Sequence, residues 1–179
     1  MIASPGDILT FWHEAGPEKW FRKDTAFDDA IRSRFLETYE AAAAGQLSDW
    51  ERTADGALAL ILLLDQFPRN IFRGLARAFG TDAQARDVAA QAIDRGFDAL
   101  YEVPLKRFFY LPAMHSEDLR DQDFCLEKCR AANDADGVKF AEIHRDIIAR
   151  FGADMPRAFV DDWVGVAAEE ARHYAMLAA

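Results

Sequence analysis

Three polar clusters in this chain carry residue types that could do chemistry. The first is Asp65, Gln66, Arg69, Asn70 and Arg73, with Arg77 beyond. Arginines four apart beside a helix terminus could hold a carboxylate or phosphate, and Gln66 and Asn70 could add hydrogen bonds. The second is Met114-His115-Ser116-Glu117-Asp118, with Gln122 one turn on. A histidine just ahead of a helix N-terminus, close to carboxylates, could serve as a general base. The third is His144-Arg145-Asp146, inside a helix.

Each cluster also has a plainer reading. An Asp65–Arg69 pair and an Asn70 turn would satisfy backbone at the end of a buried helix. Ser116 is a good N-cap, with Glu117 and Asp118 in the first helical turn. His144 borders the apolar face made by Phe140, Ile147 and Ile148 and fits a hydrogen-bonded core histidine. His115 and Gln122 have no such local explanation.

Several chemistries fall away. His144-Arg145-Asp146 matches a kinase catalytic triplet in letters only, without the glycine-rich loop, strand lysine or Asp-Phe-Gly. His115, Glu117, His144, Asp146 and Asp65 are ligand types, but no spacing joins them and the HExxH and ExxH patterns are absent, so no metal or other cofactor is expected. Ser116 lacks the G-x-S-x-G turn of a serine hydrolase. Cys125 and Cys129, four apart on a helix, read as small core hydrophobes.

The element that must position these groups is residues 56–74. It opens with eight unbroken apolar residues, Ala57 to Leu64. Ala and Leu with one Ile favour helix over strand, and a helix apolar on all sides belongs in the middle of a core. Pro68 disfavours helical geometry at Phe67 and predicts a stop there. The polar half would then lie where the helix leaves the core. The run is well short of the roughly 20 apolar residues that span a bilayer.

Around this helix the chain reads as helical throughout. Ser4-Pro5-Gly6-Asp7 starts a helix carrying Ile8, Leu9, Phe11 and Trp12. Trp20 and Phe21 clamp a connector onto the core. Phe27, Ile31, Phe35 and Tyr39 form an amphipathic stripe, with Asp28, Arg32, Glu37 and Glu40 on the other face. Thr81-Asp82 caps a helix running to Arg95. The aromatic segment Leu105 to Leu111 is closed by Pro112. Ser116 starts a helix to about Ala132, a long amphipathic helix runs from Asp136-Gly137 to Gly152, and Trp163 to Leu177 reads as a final helix. No strand alternation is visible. The expectation is a single all-α domain over residues 1–179, of seven or eight helices in stacked antiparallel hairpins, tetratricopeptide-like.

Bulk properties narrow the partners. With 31 acidic and 21 basic residues the net charge is −10, which disfavours non-specific binding to nucleic acid or anionic membrane. No signal-peptide pattern is present, and the cytoplasm follows by default. Oligomeric state is not legible.

The stretches LLLDQFPRNIFRG, ARAFGTDAQA, FFYLPAMHSEDLRDQ and EIHRDIIARFG resemble, in order, the signature stretches of the bacterial family catalogued as domain of unknown function 924. The resemblance runs from Trp20-Phe21 to Gly152. It implies a tetratricopeptide-like fold and singles out Asp65, Gln66, Arg69, Asn70, Arg73, His115, Ser116, Glu117, Gln122, His144, Arg145 and Asp146. Members of that family commonly continue after Phe151-Gly152 with a run like Arg-Phe-Pro-His-Arg-Asn. This chain has Ala153-Asp154-Met155-Pro156-Arg157-Ala158, which implies an altered site if that run contributes to one.

Two functions are open at this point. One is a helical scaffold binding a peptide, a protein partner or a small anionic ligand through Gln66, Arg69, Asn70, Arg73, Ser116, Gln122, Arg145 and Asp146. The other is a hydrolase-type enzyme with His115 or His144 as base, Asp65 or Glu117 orienting it, and Arg69 stabilising developing negative charge. The sequence favours binding slightly, because no nucleophile–base pair can be read from it.

Overall fold

In the computed structural model, residues 1–151 are described. Among them every regular element is helical and there is no strand. The expected terminal helix over residues 163–177, the helix stop at Gly152 and the altered stretch after it lie outside the described residues.

Helix α1 (Pro5–Ala15) begins at a capping box. Ser4 Oγ accepts from the Asp7 amide at 3.2 Å, and the Asp7 carboxylate accepts from the Ser4 amide at 2.8 Å, so two otherwise unpaired donors are satisfied reciprocally. A single turn, α2 (Pro17–Trp20), brings Trp20 back onto Trp12. The two rings stack at 5.8 Å, and Trp20 Nε1 donates to the Trp12 carbonyl at 2.7 Å. Helix α3 (Thr25–Ala43) is capped by Asp24 and buries Phe27, Ile31, Phe35 and Tyr39, the stripe expected from their spacing.

The central segment departs from expectation at Pro68. Helix α4 (Ala54–Ile61) runs into a π-helical turn, Leu62–Gln66, and on without a break into α5 (Phe67–Ile71). Pro68 lacks the N–H that would reach the Leu64 carbonyl four residues back, and the hydroxyl of Thr81 supplies that bond at 2.5 Å. The Asp65 carbonyl is met by Arg69 Nη1 at 2.6 Å. The helix passes through its proline because the Thr81 hydroxyl replaces the missing backbone donor. The polar half therefore does not leave the core: residues 56–72 are buried throughout.

Helix α6 (Asp82–Asp94) follows, and Thr81 makes no cap bond to it, since its hydroxyl serves Leu64 instead. A single turn, α7 (Leu111–Met114), is opened rather than closed by Pro112. Helix α8 (Leu119–Ala131) starts two residues later than expected, with Asp118 as N-cap accepting from the Arg120 amide at 2.9 Å. Ser116 Oγ instead accepts from the Asp118 amide at 3.1 Å. Helix α9 is Ala135–Phe151. Helices α1, α3 and α6 surround the central segment, and α8 packs along α9 with α7 beside both. Cys125 and Cys129 are buried free thiols.

Candidate functional site

Asp65 sits on the π turn with none of its side chain exposed. A π turn rotates the following residues relative to an ordinary helix, and such turns recur at functional sites. Here it points a carboxylate into the core, where three groups meet it. His115 Nδ1 lies 2.7 Å from Asp65 Oδ1. Arg69 Nη1 is 3.2 Å from the same oxygen. Gln66 Nε2 donates to the other oxygen, Oδ2. Behind Arg69, the carboxylate of Asp82 accepts from Nη1 at 2.8 Å and from Nη2 at 3.0 Å.

The electrostatics follow from these contacts. Burial by itself would raise the Asp65 pKa. The charges of His115 and Arg69, with the hydrogen bonds from His115 and Gln66, outweigh it and hold the carboxyl down at about 2. An ionised carboxylate can only accept, so His115 Nδ1 carries the proton on that bond, and in the neutral ring Nε2 is the basic nitrogen. The His115 side chain keeps 8% of its surface exposed while Asp65 has none.

His144, on α9, faces the same region, its ring 6.3 Å from that of His115. Its Nδ1 lies 3.3 Å from the Met114 carbonyl, which must accept. Burial, reinforced by the charges of His115 and Arg69, pushes its pKa down to about 3. His144 is thus a neutral polar neighbour, and His115, held against the Asp65 carboxylate, is the candidate base. Gln122 Nε2 donates to the carbonyls of Met114 and Ser116, both at 2.6 Å. It fixes the loop that carries His115.

The other expected residues lie elsewhere or are already engaged. Asn70 Nδ2 donates to Asp28 at 2.8 Å, and Arg73 Nε and Nη2 reach the same carboxylate at 2.8 and 2.9 Å. Arg77 pairs with Glu40. The three arginines expected to hold an anion thus each face a carboxylate of the protein itself. Glu117 is exposed and Ser116 buried. Arg145 bonds to Asp123 and, with Asp146, lines a surface groove of about 500 Å³ between α8 and α9 whose lining includes neither Asp65 nor His115. Among the described residues no group of three His, Cys, Asp or Glu side chains could hold a metal ion.

Asp28 and Asp82 were not legible as partners of the cluster. Asp28 reads as part of a solvated helix face and Asp82 as a capping residue. Their bonds join positions 42 and 13 residues apart, and no local spacing signals such a contact.

An all-α domain with a hydrogen-bonded polar cluster on its central helix is the class that fold and site define. The chain belongs to the family of bacterial proteins of unknown function DUF924, which it matches over residues 8–154. Residues 139–179 are also similar to a second family of unknown function, DUF455. A solved structure of a protein of unknown function from Agrobacterium tumefaciens shares 42% identity, with 95% of each chain covered and a TM-score of 0.83. No curated protein matches the sequence.

Proposed function

We propose that Asp65 and His115 form the acid–base centre of a hydrolase-type enzyme. The observation that carries this reading is the 2.7 Å contact between His115 Nδ1 and a wholly buried Asp65 carboxylate. That contact orients the ring and stabilises the imidazolium formed when Nε2 takes a proton. As a water oxygen bonds to the electrophilic centre of the substrate, Nε2 accepts the proton that water loses. The same proton then passes to the leaving group as its bond breaks. His144 stays neutral beside the site and adds no charge to oppose the imidazolium. The engagement of Arg69, Arg73 and Arg77 by Asp82, Asp28 and Glu40 lowers the standing of a small anion as ligand.

The test is turnover of p-nitrophenyl acetate, p-nitrophenyl phosphate and an aminoacyl p-nitroanilide by the wild-type chain and His115→Gln. General-base loss predicts a drop of about 10²- to 10⁴-fold on any probe that is turned over, in protein that circular dichroism shows to be folded. Equal turnover by the two proteins, or turnover of none of the probes, counts against the reading.

A second reading concerns the α8–α9 groove. Leu126 lies among Asp123, Glu127, Arg130, Glu142, Arg145 and Asp146 there, and a mixed-charge groove with an apolar residue suits a peptide or protein partner. We also read the helices as tetratricopeptide-like stacked hairpins in a cytoplasmic protein. Support comes from the pairing of α4 with α6 and of α8 with α9. No helix of the described residues is long and apolar enough to cross a membrane.

A further inference from the structure

We propose that Asp82 is a positioning residue for the Asp65–His115 pair, because it keeps the Arg69 guanidinium from taking the carboxylate oxygen that His115 uses. The inference rests on the acid–base reading above and adds to it a residue that touches neither His115 nor the carboxylate of Asp65 directly.

Nη1 of Arg69 carries two N–H bonds. Three oxygens lie within reach of it: the Asp65 carbonyl at 2.6 Å, Asp82 Oδ1 at 2.8 Å and Asp65 Oδ1 at 3.2 Å. The two shorter contacts take both protons. Nη2 is held at 3.0 Å by the second oxygen of Asp82. Asp65 Oδ1 therefore feels the charge of Arg69 without receiving a directed bond from it, and it remains available to His115 at 2.7 Å.

Asp82 is well placed to impose this division. It is the first residue of α6, immediately after Thr81, whose hydroxyl donates to the Leu64 carbonyl on the π turn. The start of α6 thus grips the central segment at two points, the Leu64 carbonyl on the π turn and the Arg69 guanidinium on α5. The Arg69 side chain is only 5% exposed, so water offers it little compensation. Without the Asp82 carboxylate, the nearest anion left to the guanidinium is Asp65. A planar fork meets a carboxylate best through two parallel bonds. Turning to adopt that geometry brings Arg69 onto Oδ1 in competition with the imidazole.

A purely structural Asp82 would stabilise the packing of α6 on the central helix and leave the His115 ring proton unaffected. The test therefore reads that proton by ¹⁵N–¹H NMR of the histidine rings in the full-length chain at pH 7. The samples are wild type, Asp82→Ala, Asp82→Glu, and Asp65→Asn as the reference for a lost carboxylate bond. Wild type and Asp82→Glu are expected to show a slowly exchanging low-field Nδ1–H on His115. Asp82→Ala is expected to exchange that proton at least tenfold faster and to resemble Asp65→Asn, while circular dichroism retains the helix signal. A wild-type Nδ1–H in folded Asp82→Ala overturns the proposal. Should Asp82→Ala fail to fold, Asp82→Asn, closer in shape but uncharged, is held to the same two outcomes. Turnover of the p-nitrophenyl probes is measured on the same samples. An altered ring proton without any turnover defeats the acid–base reading alone, whereas an unaltered proton with turnover intact defeats the positioning role alone.

Discussion

Nδ1 of His115 and Oδ1 of Asp65, 50 residues apart in the chain, lie 2.7 Å from each other at the edge of the core. The carboxylate is wholly buried and the imidazole is not. The pair joins the loop ahead of α8 to the π turn of the central helix, so it is at once a candidate catalytic device and a tertiary tie. The two roles make different predictions.

Asp65→Asn keeps the shape but removes the charge that faces His115 and Arg69. It is expected to lower turnover on any active probe at least tenfold and to destabilise the fold. A buried ion cluster that loses one partner leaves the others uncompensated, at a cost of about 3 kcal/mol. Urea unfolding, alongside the probe assay, measures both. A variant as stable and as active as wild type would remove Asp65 from the site.

Acid should lower the stability of the protein over two pH windows. His144 has its pKa pushed below its ordinary 6.5, to about 3, by burial. The unfolded chain therefore takes up that proton first, and stability is full above pH 6.5 and falls as pH drops toward 3. Asp65 has its pKa lowered from 3.8 to about 2. Its contribution is present above pH 3.8 and is lost as pH falls through 2. Urea midpoints measured from pH 8 to pH 2 should show both limbs. His144→Gln should flatten the upper limb, and Asp65→Asn the lower. An unchanged upper limb in His144→Gln would show that another group produces it.

Thr81→Val should cost about 1–3 kcal/mol, the usual penalty for an unpaired buried polar group. It leaves the Leu64 carbonyl without the donor that stands in for the absent N–H of Pro68. Thr81→Ser, which keeps the hydroxyl, should recover most of the loss. Equal urea midpoints for the Val and Ser variants would show that the carbonyl finds another donor.

Gly56→Ala should be destabilising although it lies within a helix, where alanine is ordinarily favoured. A Cβ at Gly56 would run into the Trp50 carbonyl and lie 2.9 Å from Thr53 Oγ1. The obstruction is backbone and cannot swing aside. A loss of about 1–3 kcal/mol is expected, read as a lower thermal midpoint. A midpoint at or above that of wild type would mean that the turn at Ser48–Arg52 yields easily.

Local rules fixed much of the secondary structure from the letters alone. The Ser4–Asp7 box, the Asp24 cap, the stripe Phe27, Ile31, Phe35 and Tyr39, and the all-apolar run Ala57 to Leu64 each depend on neighbours within a turn or two. The family resemblance rested on the same short stretches. Local reasoning failed where a distant residue supplied what the local chain lacked. Pro68 reads as a helix stop, but Thr81 donates to the carbonyl it leaves unpaired. Thr81 reads as a cap, but its hydroxyl is taken by that carbonyl. The local Asp65–Arg69 pair was legible and is present, but the anion-holding alternative for Arg69 and Arg73 missed that Asp82 and Asp28 lie against them. The pairing of Asp65 with His115 was visible only as one possibility among several, because spacing constrains contacts within a helix and says nothing about which helices meet. That decision belongs to tertiary packing. Burial of the whole central segment left its polar groups without water, and Asp65, Arg69 and Asn70 found partners in the elements packed beside it.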